Sequence, residues 1–259
     1  MKILMAQTTP IFDVEKNKER LIKIVKNNQA DIYIFPEMYL TGYLIRDKIL
    51  VRAISVDSPF MKEIAEISHG KIIIFGFPER DEFIYNSAGV AYNGEIHVAR
   101  KIYLPNFGPF EEKLYFKSGD YPFLLSTDHG TIGVQICYDV FFPEVTKIQA
   151  LNGSDIIVNI SASPITSRNL FERVIPARAI ENTVFFAYVN WAGLQRTLEF
   201  WGGSMLYSPR GNLLYKAPYF QEHIGVVEID LEEIMIARNL RPTLRDTKKE
   251  FFKLSGEKN

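Results

Sequence analysis

Short apolar runs of strand length recur along this chain, and between them lie stretches whose apolar residues fall at helical spacing. That alternation restricts the chain to folds in which helices cover sheets. Lys2 to Thr8 reads as a buried strand, and Val14 to Asn28, with Leu21, Ile22, Ile24 and Val25 set among Lys and Asn, as a surface helix. Ile32 to Phe35 is a second strand, ending at Pro36. Ser58-Pro59 opens another helix, Ser as N-cap and Pro in the first position. Strands follow at Lys71 to Phe77, Tyr85 to Tyr92 and Glu95 to Arg100, the last two joined by the hairpin signal Asn93-Gly94. Ile132 to Ile136 and Asp155 to Ile160 flank a helix near Pro143 to Leu151. Ser167 to Asn182 reads as a helix that Pro176 should kink or divide. Thr183 to Val189, Gly203 to Ser208, Asn212 to Tyr215 and Ile224 to Ile229 complete the strands, with Ser208-Pro209-Arg210-Gly211 as a turn. The pattern predicts an α/β protein whose mixed sheets are covered by helices.

Between Ile102 and Pro122 the pattern breaks into a long loop. Five Phe or Tyr between Tyr103 and Phe116 argue for an ordered, functional loop. Pro and Gly are otherwise spread evenly, without a linker, a charge block or a repeat, so residues 1–259 read as one domain. A net charge of −1 offers no electrostatic reason for nucleic acid or an anionic membrane as partner. No apolar run approaches the ~18 residues of a membrane span, and MKILMAQTTP is too short in apolar residues for a signal peptide. The expected location is cytoplasmic. One Cys excludes an internal disulfide, and the four His stand at no ligand spacing, so no metal site is expected.

Three residues stand directly after strand-like runs. Cys137 follows Gly133-Val134-Gln135-Ile136, Glu37 follows Phe35-Pro36, and Lys101 follows Glu95 to Arg100. Singly, each has an ordinary explanation: a lone Cys is most often a small buried hydrophobe, and Glu and Lys are most often solvated. Together their flanks form a pattern. Phe35-Pro36-Glu37 comes with Thr41-Gly42-Tyr43, and Arg100-Lys101 with Leu104-Pro105. Cys137-Tyr138-Asp139 comes with Phe142-Pro143-Glu144. Arg178-Ala179-Ile180-Glu181-Asn182, Val189-Asn190 and Gly202-Gly203-Ser204 follow in order. In this the chain resembles, from Lys2 to about Phe251, the carbon–nitrogen hydrolases of the nitrilase superfamily.

The resemblance implies a four-layer αββα sandwich of two mixed sheets covered by helices, and a homodimer or larger homo-oligomer. It implies a C-terminal extension from about residue 239 that packs across a dimer partner, frayed over about the last five residues. It also implies an amide hydrolase without metal or organic cofactor: Cys137 as nucleophile, Glu37 as base, and Lys101 with the Tyr138 N–H beside the oxyanion. Glu112, in Phe110-Glu111-Glu112-Lys113, matches a second family Glu that orients Lys101. Where the family commonly has Lys-x-His, this chain has Lys101-Ile102-Tyr103, and Tyr cannot carry positive charge. A thiol activated by such neighbours should alkylate faster than a free one near neutral pH.

For the substrate, Leu104-Pro105-Asn106-Phe107-Gly108 and Ser161-Ala162-Ser163-Pro164 resemble most the glutaminase domain of glutamine-dependent NAD synthetases. There, residues matching Phe107, Phe141 and Ser163 line the glutamine pocket. Two features oppose glutamine here: Tyr138 stands where that branch has Glu, and 259 residues leave no room for a synthetase domain. If Tyr43, Phe107, Tyr138 and Phe141 line the pocket, it suits an apolar acyl group. The expected reaction is hydrolysis of a small carboxamide, releasing ammonia through a Cys thioester. A glutaminase subunit feeding a separate synthetase is the second reading, and a nitrilase the third.

Overall fold

The computed structural model describes residues 1–252. The first half of the chain holds β1 (Lys2–Gln7), α1 (Val14–Asn27), β2 (Ile32–Ile34), α2 (Ile49–Arg52), α3 (Pro59–Glu66), β3 (Ile72–Arg80), β4 (Ile84–Tyr92) and β5 (Glu95–Arg100). Next come β6 (Phe123–Thr127), β7 (Gly130–Ile136), α4 (Pro143–Leu151), β8 (Ile156–Ser161), α5 (Arg168–Asn182) and β9 (Phe185–Asn190). The chain continues through β10 (Ala192–Gln195), β11 (Leu198–Trp201), β12 (Met205–Tyr207), β13 (Leu213–Lys216), β14 (His223–Glu228) and α6 (Glu232–Leu240).

The strands form two six-stranded sheets, ordered β14-β1-β2-β3-β4-β5 and β13-β12-β9-β8-β7-β6, plus the separate hairpin β10-β11. Each sheet is mixed. Three central strands run parallel, β1-β2-β3 in one and β7-β8-β9 in the other, and antiparallel strands flank them.

Period-two alternation explains the layering. On the first sheet Ile3, Met5, Ile32, Ile34, Ile72 and Ile74 join the core that also holds Ile132, Val134 and Ile136 of the second sheet. Their neighbours Leu4, Ala6, Tyr33, Ile73 and Phe75 turn the other way, onto Leu21 and Val25 of α1 and Met61 and Ile64 of α3. On the second sheet, α4 and α5 pack through Ala150, Phe171, Ile175 and Ala179. The result is the four-layer αββα arrangement.

Local chemistry sets the helix starts. Asp13 accepts from the Lys16 N–H at 3.1 Å to cap α1. Ser58 caps α3 ahead of Pro59, and α4 opens on Pro143. Pro176 does not divide its helix: α5 runs unbroken from Arg168 to Asn182. Burial of Phe171, Ile175 and Ala179 on either side of the proline offsets the one lost hydrogen bond.

Three elements lacked a readable sequence signal. Every side chain of β6 is at least partly exposed, so no apolar alternation marks that edge strand. The β10-β11 hairpin turns on Arg196-Thr197 with Arg196 in the left-handed region (φ 54°), without the Gly or Asn that normally announces such a turn. Helix α6 opens the C-terminal segment, whose final residues 253–259, including the expected frayed end, lie outside the described residues. Among the described residues no helix is long and apolar enough to cross a membrane.

One glycine sets the distance between β3 and the turn that follows β2. The Gly76 N–H donates to Pro36 O at 3.0 Å, and the Leu40 N–H donates to Gly76 O at 3.1 Å. A Cβ at Gly76 would meet the Met38 nitrogen at 2.1 Å and the Glu37 Cα at 2.6 Å. Both obstacles are backbone, so Gly76→Ala is expected to destabilise the fold by about 1–3 kcal/mol. A urea unfolding midpoint unchanged from wild type would show that the turn can move away freely.

Candidate active site

Strand direction gathers the three strand-end residues of the sequence reading. Glu37 follows β2, Lys101 follows β5, and Cys137 follows β7. Two antiparallel steps separate β5 from β3, so β5 runs in the same sense as β2 and both end on one rim. Alternation along β5 separates the adjacent cations: Arg100 pairs with Glu79 and Asp81, while Lys101 turns into the interior. Cys137 itself is strained. It opens a short 3-10 turn (Cys137–Phe141) at φ 49°, a left-handed conformation that non-glycine residues adopt at a cost of order 1–3 kcal/mol.

Glu37 and Lys101 are buried, unlike the solvated residues that their types alone would predict. The Lys101 Nζ donates to Glu37 Oε1 and to Glu112 Oε1, each at 2.7 Å. Glu37 Oε1 also accepts from Asn86 Nδ2, and its Oε2 accepts from the Ala162 N–H, again each at 2.7 Å. The same Ala162 N–H faces the Cys137 thiol, which places thiol and carboxylate around one donor. Glu112 Oε1 further accepts from the Tyr43 hydroxyl at 2.6 Å.

Two carboxylates share one ammonium here, out of water, so the charges cannot all be neutralised. Burial alone would strip the Lys101 proton, but the charges of Glu112 and Glu37 outweigh it and hold Lys101 protonated, well above its usual range. The surplus falls on Glu112. Burial, opposed by Lys101 and reinforced by Glu37, raises its carboxyl to about 7. Burial and then the Glu37 charge push the Cys137 thiol well up, with Lys101 opposing. At rest this arrangement favours the protonated thiol. Attack requires a base that takes the proton as the new bond forms.

Beside Cys137 lies a cavity of about 340 Å³. Phe107, Tyr138, Phe141 and Ser163, named from sequence, line it together with Pro105, Phe110, Pro164, Ser167, Leu170 and Phe171. Tyr43 does not line it, contrary to the sequence reading. Its ring lies behind Glu112, where the hydroxyl is committed to that carboxylate.

Sequence reasoning missed the residues that hold the site by their polar side chains. Asn86 stands among the apolar residues of β4, where a buried amide needs a partner; that was its only signal. Asp139 appeared only as a motif letter. It accepts from the Ile136 N–H at 3.1 Å and the Tyr103 N–H at 2.8 Å, tying the Cys137 turn to the segment after Lys101. The Tyr103 ring stacks on Phe142 and its hydroxyl donates to Glu144 at 2.8 Å, so it fills the family His position without a charge. The unforeseen hairpin region supplies two further supports. Trp191 Nε1 donates to Glu37 O at 2.7 Å, and Gln195 Oε1 accepts from the Tyr43 and Leu44 N–H groups at 3.0 and 2.9 Å.

The raised Glu112 carboxyl has a measurable consequence. An ordinary carboxyl titrates near 4.5, so between there and about 7 the folded protein binds a proton that the unfolded chain has released. That contribution to stability is complete below about pH 4.5 and is lost as pH rises through 7. Glu112→Gln removes it, so the stability of the variant relative to wild type should increase from pH 5 to pH 8. Urea unfolding at stepped pH checks this, and parallel curves for the two proteins would contradict it.

The carbon-nitrogen hydrolase family profile matches residues 3–239. Over 86% of its length the chain is 34% identical to a glutamine-dependent NAD(+) synthetase of Aquifex aeolicus, of which the match covers 41%. The chain thus spans less than half the length of that relative. It is 32% identical to a nitrilase of Pyrococcus abyssi, over 97% of this chain and 99% of that one. A solved amidase from Nesterenkonia sp. superposes with TM-score 0.83 at 26% identity, over 97% of this chain and 95% of the amidase. The chain belongs to the carbon-nitrogen hydrolase family.

Proposed function

We propose that this hydrolase cleaves a small, uncharged carboxamide through a thioester on Cys137. The observation that carries this reading is the cavity beside Cys137, whose lining includes no charged side chain. Glutamine would bring an ammonium and a carboxylate into that space, and a desolvated charge without a partner is costly. The match to glutamine-dependent NAD(+) synthetases favours glutamine as a second reading, with ammonia passed to a synthetase. Nitrile hydrolysis, the activity named for the Pyrococcus abyssi relative, would use the same residues.

In the proposed reaction Glu37 takes the thiol proton as sulfur attacks the carbonyl carbon. Negative charge gathers on the carbonyl oxygen. The Lys101 ammonium has three N–H groups, and two are engaged by Glu37 and Glu112, which leaves one for that oxygen. The Tyr138 N–H, near the start of the 3-10 turn where N–H groups lack intrahelical acceptors, is the second donor. Collapse of the intermediate breaks the C–N bond, and Glu37 returns the proton to the departing nitrogen, giving ammonia and the thioester. Water, deprotonated by Glu37, then opens the thioester to the free acid and regenerates the thiol. Glu112, itself held by Tyr43, keeps Lys101 in position throughout.

Ammonia release from short aliphatic amides, an aromatic amide, L-glutamine and one nitrile tests the reading, run beside Cys137→Ala and Lys101→Ala. Release from the uncharged amides is expected, abolished in the first variant and lowered ~10²-fold or more in the second. Release from glutamine alone would replace this reading with the glutaminase one, and release from the nitrile alone with the nitrilase one.

A further inference from the structure

A hydrogen-bonded chain of four residues ends at the cavity wall, and its direction is set by its two ends. Trp201 Nε1 donates to Ser163 Oγ at 3.2 Å. Ser163 Oγ and Ser167 Oγ lie 2.8 Å apart, and Ser167 Oγ donates to Pro164 O at 2.9 Å. An indole N–H can only donate and a carbonyl oxygen can only accept. The arrangement that uses every hydrogen therefore runs one way, from Trp201 to Ser163 to Ser167 to Pro164.

In that arrangement neither serine has a hydrogen to spare. Both serines line the cavity, Ser163 buried and Ser167 half-buried, so Ser167 is the one more open to a ligand. We infer that Ser167 presents a lone pair and no hydrogen to the substrate, so the cavity selects amides whose acyl group carries a hydrogen-bond donor, a hydroxyl or an N–H, at that wall. This rests on the amide reading and narrows it to a donor-bearing subclass. Tyr138, the other hydroxyl of the lining, can both donate and accept and so does not discriminate between the classes. A substrate group that offers only lone pairs would have to draw the Ser167 hydrogen away from Pro164 O, which the Ser167 N–H also reaches at 3.0 Å, so it exchanges one hydrogen bond for another where a donor adds one.

Binding to Cys137→Ala, which separates recognition from turnover, tests the inference by calorimetry. The probes are aliphatic amides of stepped chain length, each made with a terminal hydroxyl, a methyl group or a methyl ether. At the best length the alcohol is expected to bind about tenfold more tightly than the ether. Adding Ser167→Ala removes the lone pair and frees the Ser163 hydrogen, so the preference should vanish or reverse toward the ether. Equal binding of alcohol and ether, a preference that survives Ser167→Ala, or no binding by any probe would overturn the inference. Turnover by the protein with Cys137 intact then distinguishes the two readings. Amides bound with the donor preference but not hydrolysed would remove the amide-hydrolase reading alone. Amides hydrolysed without the preference would remove this inference alone.

Discussion

The buried ion cluster of Glu37, Lys101 and Glu112 is the constraint around which the rest of the site is arranged. Three charges brought out of water are tolerable only when hydrogen bonds replace their lost hydration. Much of the local structure supplies those bonds: Asn86 from β4, the Ala162 N–H from the end of β8, and the Tyr43 hydroxyl. One cation between two carboxylates leaves a surplus negative charge, and burial together with that surplus raises the Glu112 carboxyl to about 7 and favours the protonated Cys137 thiol. The site at rest is therefore a proton store rather than a pre-formed thiolate. In the proposed reaction, attack comes when a bound carbonyl draws the sulfur forward and Glu37 takes up the proton.

Geometry of this kind depends on backbone held from several directions. Gly76 lets the Glu37 turn lie on β3, Trp191 grips the Glu37 carbonyl, and Gln195 anchors the Tyr43 turn. Asp139 joins the strained Cys137 turn to the segment after Lys101. These supports come from both sheets and from the small hairpin. Neither sheet alone holds a complete set of groups, and the rim where they meet is where the cavity opens.

Sequence reasoning captured what periodicity and strand-end position encode. Continuous apolar runs in β1, β2 and β3 gave the buried strands, and the motifs around Glu37, Lys101, Glu112 and Cys137 picked out four residues that the fold places in one neighbourhood. It could not tell that Tyr43 turns its hydroxyl to Glu112 and away from the cavity, because a Tyr in a loop reads alike in either direction. It missed Asn86 and Gln195 because a polar residue's partner is a tertiary fact, remote along the chain. Pro176 does not divide its helix for a related reason: local propensity disfavours it there, and packing of the surrounding apolar residues overrides that.

The outer edge of the first sheet ties the beginning of the chain to its far end. β1 pairs with β14 in antiparallel register, from Lys2 opposite Glu228 to Gln7 opposite His223. Contacts between residues so distant along the chain close slowly, because loop entropy must be overcome before they return any stabilisation. During synthesis, β1 emerges before β14 and must wait for every strand between them before that partner exists. Until then its edge, lined by Ile3, Leu4 and Met5, is open to pairing with other chains. The same strand that later helps close the sandwich is thus a segment of the nascent chain that needs protection from aggregation.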